Sequence, residues 1–249
     1  MGLRGALVLS ALAGSAGCAS TTPASSPADA PAADPASAQA KTADSVSRGG
    51  ASVFVVHLMS DFDAFEKYFE EGEAARAKAG IKGHLLTRLD DGRAVVHLFA
   101  DDAAKVEQAL ASPEMEKYLD RKGSPESSLV WVTENQLVKA PAAPPTGQTF
   151  SLFLKLRVTN FTALARGFER DLPLFAEHGV IAEGLHRSTS KEDIAILHFV
   201  GTSREKLETL AKRPEFAQLL ADAGSKEEAK PLVGVDLLRS RPSLSPSSQ

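Results

Sequence analysis

Ser112–Gly123 reads SPEMEKYLDRKG, and Arg213–Gly224 reads RPEFAQLLADAG. Pro, Glu, an apolar residue, a later Leu and a closing Gly recur in step. The match extends outward from this phrase. Phe62 and Phe161, Phe69-Glu70 and Phe168-Glu169, Gly80 and Gly179, and Arg88 and Arg187 all stand 99 residues apart. From His97 and His198 onward the spacing is 101, through Lys105 and Lys206, Pro113-Glu114 and Pro214-Glu215, and Gly123-Ser124 and Gly224-Ser225. The two extra residues fall between Asp90-Asp91-Gly92 and Ser190-Lys191-Glu192-Asp193, polar turn segments that tolerate insertion. A period this long marks a duplicated unit rather than a solenoid.

Each copy has the same order of elements. Val53–Met59 (VFVVHLM) is β-branched and apolar, hence a strand. Asp61, or Asn160 in the second copy, is the N-cap of a helix. Its buried face is Phe62, Phe65, Phe69 and Ala79, with Gly80 as its stop; Phe161, Leu164, Phe168, Phe175 and Gly179 repeat the pattern. Residues 84–89 and 94–99 form a hairpin over Asp90-Asp91-Gly92. Asp101 caps a helix to Leu110, which Ser112-Pro113 restarts and Gly123 ends, Pro being tolerated in the first helical turn. Strands at 129–134 and 231–237 close the copies. The order β-α-β-β-α-β is the ferredoxin-like topology, with helices on one face of an antiparallel sheet. The other sheet face is also apolar and needs a cover, which a second copy on the same chain supplies.

FVVHLMSDFDAFEKYFEE, DDGRAVVHLFADD and SPEMEKYLDRKG together resemble the dimeric α+β barrel superfamily, closely over residues 52–135 and more loosely over 150–236. The resemblance implies an α+β fold in which two ferredoxin-like repeats pair their antiparallel sheets into one intramolecular pseudo-dimeric barrel, often with a lumen. The chain is then a monomer with an internal pseudo-two-fold. The superfamily includes cofactor-independent quinone-forming monooxygenases, haem-degrading enzymes, small cyclases, dehydratases and members without chemistry, so fold does not fix function.

The flanks carry a different message. Met1-Gly2-Leu3-Arg4 is a positive n-region, and Ala6–Ala13 (ALVLSALA) is apolar but too short to span a bilayer. GSAGC then leads to Cys18, the only cysteine of the chain. This resembles a bacterial lipoprotein signal, although Ser15 stands where the family pattern prefers Leu. It implies residues 1–18 as signal peptide with lipidation at Cys18, export, and anchorage facing the periplasm, with Ala19 similar to residues that permit transfer to the outer membrane. Residues 19–50, almost all Ala, Ser, Pro, Thr and Asp, read as a disordered tether. The remaining boundaries are repeat one at 51–139, a Pro-rich linker at 140–148, repeat two at 149–240 and a disordered tail at 241–249.

The chain of 249 residues has net charge −4, which excludes a general nucleic-acid binder. Its six His stand at 57, 84, 97, 178, 186 and 198, without HExxH or close Cys/His spacing, so no metal is called for, and no cofactor fingerprint is present. His57 and His97 lie on neighbouring strands and His198 duplicates His97. They are candidates for ligand contact or acid–base work in the lumen, or for imidazoles packed beneath the helices. Leu156 replaces His57 in the second copy. Lys155 and Arg157 replace Val56 and Leu58, alternating on one strand face to bind an anion or to meet water. Arg88 and Arg187 suggest a recurring salt bridge. Haem degraders of the superfamily use a strand-one Asn and a helix-two His, both missing here, and Trp131 reads as packing. The reading leans away from catalysis, toward a binding module for a small hydrophobic molecule or a partner protein. The alternative is a cofactor-independent monooxygenase or cyclase acting on an aromatic or polyketide-like compound, with His57 or His97 as base.

Overall fold

The computed structural model describes residues 45–58, 61–112, 127–141, 145–225 and 230–240. The signal segment with Cys18, the tether to residue 44, the repeated phrase at 113–123 and the tail at 241–249 lie outside the described residues.

The first repeat runs β2 (Ala51–Leu58), α1 (Phe62–Glu71), α2 (Glu73–Lys78), β3 (Ile81–Leu89), β4 (Arg93–Ala100), α3 (Ala103–Leu110) and β5 (Ser127–Ala140), after a short β1 (Ser45–Ser47). The second runs β6 (Phe150–Arg157), α4 (Phe161–Arg170), α5 (Leu172–Glu177), β7 (Val180–Ser188), β8 (Ile194–Gly201), α6 (Arg204–Ala211), α7 (Pro214–Asp222) and β9 (Leu232–Ser240). Local chemistry places the ends. Asp61 accepts from the Ala64 amide and Asn160 from the Ala163 amide, both at 3.0 Å, as N-cap side chains do. Gly80 and Gly179 stop their helices at φ 84° and 76°, a backbone region that costs other residues a steric penalty. Three expectations shift. The long first helix is two short ones, broken at Gly72 in one copy and restarted by a Pro in the first turn of α5 in the other. The cap of α3 is Asp102, which accepts from the Ala104 and Lys105 amides at 2.9 and 3.3 Å, while Asp101 reaches Lys82 at 3.2 Å. Residues 45–47, read as tether, are strand, because β5 runs on to Ala140 and offers them an edge.

Each repeat orders its strands as the ferredoxin-like topology requires, β5-β2-β4-β3 and β9-β6-β8-β7. Two antiparallel seams, β3–β9 and β5–β7, join them, so eight strands close on themselves and β1 hangs outside on β5. Closure removes the free edges that an open sheet would present.

The strands are buried on both faces. In β2, Val53 and Val55 pack with Phe65 and Phe69 of α1, whereas Phe54 and Val56 point into the barrel. Leu152 and Leu154 of β6 likewise meet Phe168 and Phe175, leaving Phe153 to the interior. The interior cluster is Phe54, Val56, Leu89, Val95, Phe153 and Ile196, with Trp131 and Leu232 against it. Phe54 and Phe153, one from each repeat, meet edge to face at 6.2 Å, a favourable aromatic geometry. Hairpins also cross between repeats: Arg204 of α6 bonds Asp90 at 2.7 Å, and Thr189 bonds Glu107 of α3 at 2.6 Å. These pairs are exposed and contribute little beside the apolar interior.

The shared interior predicts one cooperative unfolding transition. Phe54→Ala and Phe153→Ala should each lower stability by about 3–5 kcal/mol in urea titrations, with both repeats unfolding together. A loss confined to the mutated repeat, or one below about 1 kcal/mol, would refute the mutual burial.

Candidate functional site: an imidazole-lined cavity on the pseudo-two-fold axis

The apolar cluster fills one part of the barrel. At the end where β2 and β6 begin and β4 and β8 finish, a cavity of about 80 Å3 remains. Its lining includes His97 and His198, Phe99 and Val200, Leu85 and Gly184, and His84 and Glu183. Each of these is a pair related by the 99- or 101-residue spacing, which places the cavity on the pseudo-two-fold axis. His186, Val138 and Ala140 complete much of the wall, and Lys139 stands 3.4 Å from Glu183 in a largely buried ion pair across the β5–β7 seam.

Two matching sets of side chains face this space. His97 Nε2 is 2.9 Å from Ser52 Oγ, and its ring stacks on Phe54 at 4.2 Å. His198 Nε2 is 3.1 Å from Ser151 Oγ, and its ring stacks on Phe153 at 4.4 Å. The two imidazoles meet edge to face at 4.9 Å. The seams carry a second matched set, and there the copies have diverged. Thr87 donates to Asp236 Oδ1 at 2.8 Å across β3–β9, with Thr149 on the other carboxylate oxygen at 2.7 Å. The corresponding positions across β5–β7 are His186 and Asn135, joined Nδ1 to Oδ1 at 2.8 Å. Because an amide oxygen only accepts, His186 Nδ1 carries the proton and Nε2 is left as a bare acceptor. Gly184 makes this possible: a Cβ there would collide with His186 Nε2. Neither that nitrogen nor His97 Nδ1 has a hydrogen-bond partner among the described residues.

Burial sets the charge state. Both rings are almost completely buried. Desolvation pushes His186 down to about 3, and it holds His97 well below its ordinary value, reinforced by His198 and His186. The site is therefore a neutral one, with imidazoles that offer lone pairs and ring edges. Among the described residues no three His, Cys, Asp or Glu side chains are placed to hold a metal ion.

The candidates separate cleanly. His97 and His198 line the cavity. His57 does not; it shares the parity of Val53 and Val55 and packs on Phe65 beneath α1 at 5.0 Å, where burial lowers it to about 3. Lys155 and Arg157 share the face of Phe153 but are exposed at the strand end away from the cavity, Lys155 over Trp131 at 5.4 Å and Arg157 paired with Asp193. Arg88 and Arg187 each lie 5.0 Å over the Phe that opens the first helix of their repeat, Phe62 and Phe161. That recurrence is a cation–π contact, to which Arg187 adds Glu192 at 3.6 Å. His186, not among the candidates, is the addition; as the counterpart of Thr87, one residue before the recurring Arg, its polar place in the strand was readable.

No protein-family model matches the chain, and no curated protein matches it. Solved structures do. A protein of Fusobacterium nucleatum provisionally designated a monooxygenase is 10% identical with a TM-score of 0.57, over 77% of this chain and 94% of its own. An anthrone oxidase-like protein is 12% identical with a TM-score of 0.57, over 79% and 96%. A provisionally designated monooxygenase of Lactobacillus acidophilus is 10% identical with a TM-score of 0.54, over 77% and 96%. These spans are too long for one repeat, so the likeness extends to both. The chain has the dimeric α+β barrel fold, with both ferredoxin-like halves on one polypeptide. At this identity the likeness defines the fold and leaves the chemistry to the site.

Neutral buried imidazoles make stability fall in acid. A His depressed in the folded state protonates preferentially when unfolded, so its contribution is complete above about pH 6.5 and is lost as pH falls toward the folded value near 3. His57 and His186 together should make unfolding free energy drop by about 2.7 kcal/mol per pH unit between pH 6 and 4, and His57→Leu should reduce that slope by about 1.4. Urea titrations across this range measure it; a flat profile would contradict the burial of neutral rings.

Proposed function

We propose that the protein is an exported, membrane-anchored binding protein whose barrel takes a small molecule into the axial cavity. The carrying observation is the contrast within one lumen: a tightly filled apolar cluster beside an unfilled space lined by His97 and His186, each with one buried ring nitrogen that has no hydrogen-bond partner among the described residues. Buried polar atoms are normally satisfied, and leaving one unpaired costs about 1–3 kcal/mol, which a bound molecule would recover. The scale fits a small ligand. Drug-sized molecules occupy pockets of about 300–1,000 Å3, well above this one. Native mass spectrometry of the purified full chain should show a small adduct, and Ala182→Leu, which adds bulk to the cavity wall, should remove it. An unliganded wild type that gains no thermal stability from any small molecule would defeat the reading.

Anchorage rests on the leader and on Cys18. Cys18→Ser should move the protein from the membrane fraction to the soluble fraction and abolish incorporation of labelled fatty acid. Unchanged fractionation would remove the lipid anchor from this account.

A second reading is cofactor-independent oxygenation, favoured by the designations of the three structural neighbours and by the unpaired Nδ1 of His97. His97 would take a proton from an activated carbon acid, and the resulting carbanion would react with dioxygen. His57 lies outside the cavity and is not part of this proposal. A fused-ring substrate such as an anthrone would require the cavity to widen. Oxygen uptake with a small anthrone as substrate, reduced at least a hundredfold in His97→Ala, would favour this reading over simple binding; no uptake by the wild type would end it.

A further inference from the structure

The divergence between the two seams narrows what the cavity can take. At one seam the lumen-facing polar pair is closed: Asp236 is occupied by the hydroxyls of Thr87 and Thr149. At the other an acceptor is left over: Asn135 fixes the tautomer of His186, and Nε2, buried over Gly184, has no hydrogen-bond partner among the described residues. The nearest fixed charges, Lys139 and Glu183, already neutralise each other. Phe54 holds the two imidazoles that carry the unpaired nitrogens, stacked on His97 at 4.2 Å and edge-on to His186 at 4.8 Å.

Resting on the binding reading above, we infer that the cavity selects a small neutral hydrogen-bond donor, an alcohol, azole or phenol of roughly the size of one six-membered ring, with its O–H or N–H directed at His186 Nε2. Each element of this class follows from the wall. A donor is required because the unpartnered atom at His186 is an acceptor, and an acceptor-only ligand would leave it unpaired. Neutrality is required because an ion would be stripped of water with no unpaired countercharge in the lining. The size follows from about 80 Å3, since a cavity needs about 10–15 Å3 to hold one water molecule. Polarity also orders the ligand on the axis. The pseudo-two-fold is broken at His186 and Thr87, so a ligand has one preferred end, and a single molecule is bound per chain.

Calorimetry of the full chain with phenol, toluene and acetate tests this, together with 15N spectra of the His186 ring. Phenol should bind one per chain at least tenfold tighter than toluene, its equal in shape without the donor, and acetate should not bind. The 15N resonance of unprotonated His186 Nε2 should move on adding phenol and stay put with toluene. His186→Phe should bring phenol down to the level of toluene; because the wild-type spectra report the same contact, failure of that variant to fold does not remove the test. Equal binding of phenol and toluene, with no movement at Nε2, would overturn donor recognition while leaving a ligand-binding cavity. Binding of neither, with the spectrum unchanged, would overturn both this inference and the binding reading. Acetate binding in competition with phenol would overturn the requirement for neutrality.

Discussion

Everything in this molecule depends on two apolar sheet faces that can be hidden from water only by each other. A single ferredoxin-like unit buries one face under its helices and leaves the other bare. Here that second face carries Phe54 and Val56 in one repeat and Phe153 and Ile196 in the other, and they form one cluster. The seams follow from this contact, because bringing the faces together sets β3 beside β9 and β5 beside β7. Once those pairs form, each of the eight barrel strands has a paired neighbour on both sides.

The same closure creates the site. A two-fold arrangement brings equivalent residues toward its axis, so His97 and His198 meet at 4.9 Å although they lie on different repeats. An oligomer of identical chains would keep both halves the same. Fusion into one chain lets them differ, and the differences include the lumen face of the seams, where Thr87 faces Asp236 and His186 faces Asn135. Scaffold positions such as Gly80 and Gly179 have stayed alike, because their backbone conformation leaves little choice. Duplication has thus kept the frame and freed the interior to become asymmetric.

The frame was legible in the sequence because its signals are local and repeated. Capping Asp61 and Asn160, the helix-stopping glycines and the recurring Phe positions each state an element boundary, and stating it twice makes the period visible. The facing of the imidazoles was not legible, for a physical reason. A strand buried on both sides loses the alternation that tells one face from the other. In VFVVHLM both parities are apolar, so His57 gives no sign that it sits beneath α1. Ser52 and Ser151 are the nearest thing to a marker, small polar residues on the lumen side that turn out to hold His97 and His198. The extension of β5 to Ala140 and the pairing of residues 45–47 were hidden because their partners are distant in the chain, as was the break at Gly72, which interrupts an otherwise continuous amphipathic pattern.

Native-state hydrogen exchange, resolved by residue, tests the mutual shielding of the two halves most directly. Amides at the seams, in residues 85–88 and 185–188, should exchange only through the same global opening as amides of the β2–β4 pair inside the first repeat. Seam amides exchanging orders of magnitude faster than those interior amides would mean that the halves part independently, and the closed, imidazole-lined interior would not exist as described.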